Sequence, residues 1–367
     1  MDLEISQAAF ARHLSRVRDV TTAKSPMPSA RMVRLTATDG AVAFAAESTT
    51  LGWTSLEPCS VKSPGVCAVD AAELFDRVKA LPIGLVRVVA DAKSVTLSAV
   101  GARRSFKLPA LQVNEVAEMR EPDGAAEVSI PGADLSAALG AVKHASCLDA
   151  DRPTQYGCQL ASVGGTVQAY ATDGHRVARA AVGGATAAFV AHVPPEGTSA
   201  LLRLAADAEE VTLSVGSRLF VTSPIGTLRI GLVSADFPAV EMMMGLKGAV
   251  AEVDSAQLLD AIRAVRLAAS ADNNRIGLEF GDVLIVSASD PGGNKGESTD
   301  AIPYESAKPM SWRGAILASY LADAVASLGS ERVSITVGKS PLEPITVRPV
   351  GGVDRLCVVC PQRLDPK

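Results

Sequence analysis

Hydrophobic residues recur at helical spacing in six stretches of the chain, and each stretch follows a short segment rich in β-branched residues. Phe10, Leu14 and Val17 show this spacing in the first stretch, where positions i, i+4 and i+7 share one helix face. The six stretches read SQAAFARHLSRV, DAAELFDRVKAL, PGADLSAALGAV, PPEGTSALLRLA, DSAQLLDAIRAV and LASYLADAVASL. The segments before them end near Ile5, Val69, Ile130, Val193, Val253 and Ile316, at steps of 60 to 64 residues. This pattern predicts six copies of one strand-and-helix unit.

Alternating apolar and polar residues follow most of the predicted helices and indicate pairs of strands joined by a turn. The clearest examples are VRVVADAKSVTLSAV, VTLSVGSRLFVTS and VSITVGKSPLEPITVRPV. Pairing the six units predicts three domains, 1–122, 123–247 and 248–367, with boundaries at the polar stretches REPDGA and MGLKGA. The predicted fold class is α+β, with two repeated helix-plus-strands units in each domain.

The composition points to a well-packed chain that stays in the cytoplasm. Of the 367 residues, 48% are hydrophobic, 4% are aromatic and 20% are charged. No window approaches the ~18 consecutive apolar residues that a membrane-spanning helix needs. The N-terminal MDLEISQAAF carries early acidic residues and lacks the basic-then-apolar order of a signal peptide. We therefore expect a cytoplasmic protein without a membrane partner.

The cysteines and histidines do not form a pattern that predicts a metal site or a disulfide framework. The six cysteines are scattered, and the four histidines lie far apart in the sequence. The motif CVVC lies in an apolar run, where the alternation of a strand sends Cys357 and Cys360 to opposite faces. We expect reduced thiols, no metal and no cofactor.

The predicted helices carry a small excess of basic residues, although the whole chain has a net charge of −5. Most of these basic residues lie in the last turns and most acidic residues in the first turns. Compensation of the helix dipole explains this distribution. Alternatively, the helices of all units share one basic face that contacts phosphates without reading bases. Taken alone, the charge pattern favours dipole compensation.

The segment ATDGHR places Asp173, Gly174, His175 and Arg176 in consecutive positions. A catalytic role is disfavoured because no nucleophile motif, phosphate-binding loop or histidine pair accompanies it. The local chemistry favours a hairpin turn in which Asp173 caps its own backbone and His175 packs against neighbouring residues. A third interpretation is that the turn forms the rim of a docking groove.

Five segments resemble the family of bacterial DNA polymerase III beta subunits, the beta sliding clamps. They are YATDGHRVA, VDAAELFDRVKALP, SADFPAVEMM, SYLADAVASL and the terminal VVCPQRL, and they span the whole chain in the order of that family. The resemblance implies a three-domain DNA clamp fold in a ring-shaped, head-to-tail homodimer, with helices lining a central hole. It favours the basic-face interpretation of the helices.

The resemblance also implies function. Such a protein is a non-catalytic processivity factor in DNA replication, which encircles double-stranded DNA independently of sequence. Its implied partners are the DNA polymerase III alpha subunit, the clamp loader, and other polymerases and repair proteins. These partners insert short peptide motifs containing Gln and Leu or Phe into one pocket per protomer, and an apolar anchor in a groove suits that role.

The resemblance implies the following residues of the partner-peptide pocket: Gln155, Thr172, Gly174, His175, Arg176, Val177, Pro238, Val240, Met242, Tyr320, Leu342, Pro344, Val358, Cys360, Pro361, Gln362, Arg363 and Leu364. It aligns Lys24 and Arg152 with phosphate contacts, to which the helix residues Arg16, Arg77, Lys79, Arg203 and Arg263 add. It implies a dimer interface with Arg103, Arg104, Phe106 and Leu108 on one side and Leu267 and Ala268 on the other. No catalytic residue is implied.

The chain departs from the family pattern at several of these places. Cys360 and Gln362 replace methionines, Gln155 stands where a leucine is frequent, and Asp365-Pro366-Lys367 extend the C-terminus. Two further departures are Pro195-Glu196, in place of a basic pair, and the segment GGNKGES, in which only Glu297 is acidic. They predict an interface that depends more on apolar burial than on ion pairs. They also leave an alternative open, in which a clamp paralogue acts as an interaction or decoy scaffold without encircling DNA.

Overall fold

The computed structural model describes residues 1–22, 25–113, 119, 123, 126–270, 274–290 and 293–363. The chain divides into two compact units. Unit 1 comprises Met1–Ala133 and Ser199–Leu232, and unit 2 comprises Asp134–Thr198 and Val233–Lys367. Each unit therefore combines two segments that are distant in sequence.

The strands of the first half of the chain are β1 Asp2–Ser6, β2 Met32–Thr38, β3 Ala41–Glu47, β4 Leu51–Pro58, β5 Ser60–Ser63, β6 Gly65–Asp70, β7 Leu85–Ala90, β8 Ser94–Ala99, β9 Ser105–Pro109, β10 Ala126–Pro131, β11 Cys158–Val163, β12 Thr166–Thr172 and β13 Arg176–Gly184. Those of the second half are β14 Val190–Val193, β15 Glu210–Val215, β16 Arg218–Ser223, β17 Gly226–Gly231, β18 Ala249–Asp254, β19 Arg275–Phe280, β20 Leu284–Ser289, β21 Glu297–Ile302, β22 Trp312–Leu317, β23 Arg332–Val337, β24 Ile345–Pro349 and β25 Arg355–Val359. The helices are α1 Gln7–Val20, α2 Ala71–Ala80, α3 Gly132–Lys143, α4 Pro195–Asp207, α5 Glu241–Met244, α6 Ser255–Val265 and α7 Ala318–Leu328.

The predicted sixfold repeat of a strand followed by a helix is confirmed. The six strand–helix pairs are β1–α1, β6–α2, β10–α3, β14–α4, β18–α6 and β22–α7. Two of the helices begin with a side-chain cap: Asp70 accepts hydrogen bonds from the backbone of Ala72 and Glu73, and Asp254 accepts one from Gln257. Such caps satisfy N–H groups that have no partner inside the helix, so they fix where the helix begins.

Each unit contains two antiparallel sheets. In unit 1 the strand orders are β5-β1-β7-β8-β9 and β10-β15-β16-β17-β4-β3-β2-β6. In unit 2 they are β14-β11-β12-β13-β25-β24-β23-β18 and β21-β20-β19-β22. Both eight-stranded sheets continue across a predicted domain boundary, through the pairs β17–β4 and β13–β25. The boundaries near residues 122 and 247 therefore do not separate sheets, and the division into three domains stays a prediction.

Apolar helix faces and sheet faces form the core of each unit. On α1 the buried residues include Phe10, Leu14 and Val17, which is the spacing that the sequence shows, and α1 packs on α2. On α6 the buried residues include Leu258, Ile262 and Val265, and α6 packs on α7. In the part of the chain that the structure describes, no helix is long and apolar enough to span a membrane.

Candidate functional site

A row of four side chains crosses the eight-stranded sheet of unit 2 beside the ATDGHR segment. Thr172 of β12 pairs with Val177 of β13, Val177 with Val358 of β25, and Val358 with Thr346 of β24. Directly paired residues of antiparallel strands point to the same face of a sheet. All four are at most 3% exposed. We call Thr172, Val177, Val358 and Thr346 the floor row.

The segment that leads into β18 covers part of the same sheet face. Val240 is buried in a cluster with Tyr170, Val177, Leu356 and Val358, and Phe237, Met243, Met244 and Leu246 pack against this cluster. The backbone of the segment is also held, because the Arg348 guanidinium donates to the Met244 carbonyl at 3.1 Å. This segment therefore forms a wall beside the floor row, and it contains the predicted pocket residues Pro238, Val240 and Met242.

The turn from Asp173 to Arg176 lies at the Thr172 end of the floor row. One carboxylate oxygen of Asp173 accepts hydrogen bonds from the backbone N–H of His175 at 2.9 Å and of Arg176 at 3.1 Å. Gly174 has a φ of +90°, a conformation that other residues adopt only with strain. The turn is thus capped by its own aspartate, as predicted. The expectation that His175 packs against its neighbours is wrong, because its side chain is exposed.

Arg176 connects this turn to α7. Its guanidinium contacts Asp173 at 2.9 Å and Asp323 at 2.8 Å, and it lies 4.3 Å from the centre of the Tyr320 ring. The Arg176 side chain is 13% exposed, so these contacts are largely shielded from water. Charge-assisted hydrogen bonds and a cation–π contact together hold the turn and the helix in one arrangement.

The C-terminal segment runs along the other side of the turn. The backbone N–H of Cys360 donates to the His175 carbonyl at 2.9 Å, and that of Gln362 donates to the Ala315 carbonyl at 2.8 Å. Burial, assisted by the charge of Asp173, raises the pKa of the Cys360 thiol. The thiol therefore stays uncharged and adds a weakly polar surface beside the turn.

Several of the remaining predicted pocket residues that the structure describes are at least partly exposed. Met242 is 89% exposed and Leu342 is 59% exposed. Pro238, Pro344, Pro361 and Gln362 are half-buried, and Arg363 is exposed. Leu364 and the terminal Asp365-Pro366-Lys367 lie outside the described residues. Unit 2 alone therefore holds all the predicted pocket residues that the structure describes.

Two largely buried residues near this site, Thr346 and His144, belong to no motif of the sequence. Among the described residues, no atom bonds the buried hydroxyl of Thr346 at the end of the floor row. His144 follows α3, and its Nε2 lies 3.9 Å from the Cys357 thiol. Burial, followed by the positive charge of Arg176, lowers the pKa of His144 to about 4, and burial raises that of Cys357 to about 12. Both groups are therefore uncharged at neutral pH.

Unit 1 brings two predicted DNA contacts, Arg16 and Arg203, into one network of ion pairs. Arg16 contacts Asp19 at 3.2 Å and also pairs with Asp207, while Arg203 contacts Asp19 at 2.9 Å. These four side chains line a cleft of about 380 Å³ between α1 and the end of α4. Arg16 is only 11% exposed. The positive charge of the two arginines is thus balanced by two aspartates.

The other predicted DNA contacts are dispersed. Arg77 pairs with Glu73 at 2.6 Å, one helical turn away, and Arg263 lies 3.5 Å from Asp260. In both pairs the positive charge of the arginine is offset by an acidic residue of the same helix. Lys79 is exposed, and Arg152 contacts the turn of unit 2. Lys24 lies outside the described residues.

The predicted dimer residues lie next to the edges of two sheets. Phe106 and Leu108 belong to β9, an edge strand of unit 1, but Leu108 is only 4% exposed. Leu267 is 80% exposed and Ala268 is 4% exposed. Arg103 and Arg104 are exposed, and the guanidinium of Arg104 donates to the Ala80 carbonyl at 2.5 Å. Phe106 and Leu267 therefore offer the apolar surface that the interface prediction needs.

In unit 1, Ser55, His13 and Glu57 are joined by hydrogen bonds in the same sequence of groups as the hydroxyl, imidazole and carboxylate of a hydrolytic triad. Nδ1 of His13 lies 2.8 Å from the Ser55 hydroxyl, and Nε2 lies 2.7 Å from a carboxylate oxygen of Glu57. Ser55 is only 7% exposed, and the Trp53 indole donates to its hydroxyl at 3.1 Å. The His13 ring stacks on Phe44 at 4.8 Å. The arrangement therefore joins α1 to β4 and does not present a nucleophile to solvent.

The described residues also contain no group of three or more His, Cys, Asp or Glu that could hold a metal ion.

Comparison with known proteins agrees with this architecture. Residues 1–120 match the family described as DNA polymerase III beta subunit, N-terminal domain. A curated relative, the beta sliding clamp of Pseudomonas aeruginosa, is 26% identical over 308 residues, which is 82% of this chain and 83% of the relative.

Solved structures extend the likeness of fold to the full chain. The DNA polymerase III subunit beta of P. aeruginosa has a TM-score of 0.92 at 23% identity, covering 99% of this chain and 100% of that chain. The beta subunit of Thermotoga maritima has a TM-score of 0.92 at 14% identity, covering 99% of both chains. Together, these matches show that the chain has the fold of bacterial DNA polymerase III beta subunits and that its first 120 residues match the N-terminal domain of that family.

Proposed function

We propose that this chain is a sliding clamp, a non-catalytic processivity factor that encircles double-stranded DNA and tethers the replicative polymerase. The observation that carries this proposal is the sixfold strand-and-helix repeat within a fold that matches beta subunits over 99% of the chain. A closed ring retains DNA by topology, so it needs neither tight binding nor base contacts.

Two protomers close this ring head to tail. The unit 1 side presents the edge strand β9 with Phe106, and the unit 2 side presents Leu267 and the edge strand β21. An exposed edge strand has unpaired backbone groups, and a second edge strand can satisfy them. The half-buried side chain of Phe106 and the exposed side chain of Leu267 add hydrophobic burial to this pairing.

The floor row and its surroundings form the partner-peptide pocket. Val177 and Val358 supply a buried apolar floor, the Val240 segment a wall, and the exposed Gly174 and His175 a rim. An apolar peptide anchor with a few polar groups suits such a site. The DNA polymerase III alpha subunit, the clamp loader, and other polymerases and repair proteins are its ligands. Each peptide binds weakly alone, and the second pocket of the ring raises its avidity.

A retention assay tests the ring. After loading by the matching clamp loader, the protein is expected to stay on nicked circular DNA in high salt and to leave once the DNA is linearised. A matched linear duplex with both ends blocked serves as the control, because blocked ends retain a ring but not a loosely bound scaffold. Equal loss from circular and linear DNA would favour the paralogue that does not encircle DNA.

Neutralising the aspartates of the unit 1 network is expected to strengthen DNA binding. In Asp19→Asn/Asp207→Asn, Arg16 and Arg203 lose their counter-charges and can pair with phosphates. Affinity for a random-sequence duplex should rise about three- to tenfold at low salt, and the salt dependence should steepen, because more counterions are released. Fluorescence anisotropy across a salt series measures both.

The double variant Glu73→Gln/Asp260→Asn is the matched control, since it also removes two negative charges and the partners, Arg77 and Arg263, are already 34% and 78% exposed. It should change the affinity less than Asp19→Asn/Asp207→Asn does. If both variants gave the same increase, net charge alone would account for the effect, and the network would have no specific role.

A further inference from the structure

Three consecutive methionines lie in the wall beside the floor row. They are Met242, Met243 and Met244, and they make up most of the short helix α5. We call them the methionine triplet. The chain has eight methionines, so three of the eight share a single helical turn. Because a thioether is converted to a sulfoxide by two-electron oxidants, the triplet gathers oxidisable groups at one place in the fold.

The side chains of the triplet have different surroundings. Met242 is 89% exposed, so an oxidant dissolved in water reaches it directly. Met243 and Met244 are half-buried and pack against the buried cluster that contains Val240 and Val358. All three are therefore accessible to a small oxidant, but only two of them take part in packing.

Apolar packing holds α5 on the sheet face. A helix of one turn is not stable by itself, and no side chain caps its N-terminus. The Met243 N–H donates to the Val240 carbonyl at 3.0 Å, a bond within the segment. The Met244 carbonyl accepts a hydrogen bond from Arg348 at 3.1 Å. The contacts of the Met243 and Met244 side chains with the cluster therefore supply much of the free energy that keeps the wall in place.

We propose that the methionine triplet is an oxidative modification site, at which a peroxide converts the thioethers to sulfoxides and thereby releases the wall from the sheet. This inference rests on the proposed peptide-binding function, because it describes how that pocket is regulated. The sulfur attacks one oxygen of the peroxide, an S–O bond forms and the O–O bond breaks. With hydrogen peroxide the second oxygen leaves as water, so the sulfur loses the two electrons that the peroxide gains.

A sulfoxide at Met243 or Met244 does not fit the packed arrangement. Its oxygen is a hydrogen-bond acceptor, whereas the cluster presents apolar side chains. The Tyr170 hydroxyl, the polar group of that cluster, already donates to Gln168 at 2.6 Å. An acceptor without a donor is costly to bury, so the oxidised side chains turn into water and the wall leaves with them. Met242 is already in water and is oxidised without this cost.

Peroxide treatment of the full chain tests the proposal. Tandem mass spectrometry of the tryptic peptide 230–247, which contains the whole triplet, is expected to show sulfoxides, while the buried Met32 stays unmodified. Fluorescence anisotropy with a labelled peptide that carries a Gln and a Leu-Phe anchor should show an affinity lower by at least about fivefold. Hydrogen exchange of residues 237–246 should become faster. Reduction by methionine sulfoxide reductases for both epimers should restore both properties.

Leucine variants locate the effect, because leucine is apolar and similar in volume to methionine but has no sulfur. Met243→Leu/Met244→Leu should change in affinity by less than about twofold on treatment. Met242→Leu is the matched control and should lose affinity as wild type does. The cysteines are the same in all three proteins. Burial raises the pKa of the half-buried Cys59 and Cys360, so little of the thiolate that peroxide attacks is present.

An equal loss of affinity in Met243→Leu/Met244→Leu overturns the proposal, as do sulfoxides at both positions that leave affinity and hydrogen exchange unchanged. Absence of sulfoxide from the peptide 230–247, under conditions that oxidise the 52% exposed Met27, overturns it as well. Failure of untreated wild type to bind the peptide would instead contradict the proposed pocket. Mass spectrometry and hydrogen exchange would still decide the modification in that case, so the two failures are distinguishable.

Discussion

Replacing Arg176 with alanine is expected to lower the free energy of unfolding by about 3 kcal/mol and to weaken peptide binding at least about tenfold. The substitution leaves the Asp173 carboxylate, which is 16% exposed, without its cation. It also removes the bond to Asp323 and the cation–π contact with Tyr320. Asp323 is 46% exposed, so its share of the loss is smaller. The turn and α7 then lose their common anchor, and the rim of the pocket is no longer fixed.

Urea unfolding and peptide anisotropy measure the two effects. Arg176→Lys is a matched variant that keeps the charge but cannot bond both carboxylates with a planar fork, so intermediate losses are expected. Arg229→Met controls for loss of stability, because Arg229 is 2% exposed and pairs with Glu47 in unit 1. It should destabilise the protein without changing peptide affinity. Undiminished peptide binding by folded Arg176→Ala would contradict the role of the turn as a pocket rim.

His144 is expected to make the protein less stable as the pH falls. Its pKa is about 4 in the folded protein and 6.5 in a model peptide, so between these values the unfolded chain binds a proton that the folded chain does not. The part of the free energy of unfolding that depends on His144 being uncharged is therefore fully present above pH 6.5 and is lost as the pH falls towards 4. Integrated over this shift, the free energy of unfolding falls by about 2.5 kcal/mol between pH 7.5 and 4.5.

The cause of this shift is mainly burial, with repulsion from Arg176 second, while Asp323 and Asp173 oppose it. Urea unfolding at several pH values, compared between wild type and His144→Leu, isolates the contribution, because carboxylates titrate alike in both. Wild type should lose about 2.5 kcal/mol more than the variant does over that range. Parallel pH profiles would show that His144 is already accessible to protons in the folded state.

Helix positions and strand ends follow from local sequence. The predicted strand ends near Ile5, Val69, Val253 and Ile316 lie within one residue of the ends of β1, β6, β18 and β22. Hydrophobic spacing is a local signal. Residues two positions apart share a face of a strand, and residues three or four positions apart share a face of a helix. The same holds for the Asp173 turn, whose cap joins residues only two and three positions apart.

Which acidic residue pairs with which arginine could not be predicted from local spacing. The sequence indicated Arg16 and Arg203 as basic residues on helices, but their pairing with Asp207 and Asp19 joins residues 191 and 184 positions apart. Similarly, the resemblance aligned Arg152 with phosphate contacts, and only the structure shows its bond to the Asp173 carbonyl, 21 positions away. A composition count gives the number of charges, but the field at a site depends on which charges are neighbours.

The sequence by itself therefore determined the sixfold repeat and the class of fold, and its motifs carried the resemblance to beta sliding clamps. Only the tertiary structure decided which side chains form the floor row and which charges are paired. The floor row shows the reason, because Val177 and Val358 meet through the register of β13 with β25, 181 positions apart. Register between distant strands is fixed by the packing of whole sheet faces, and no local pattern records it.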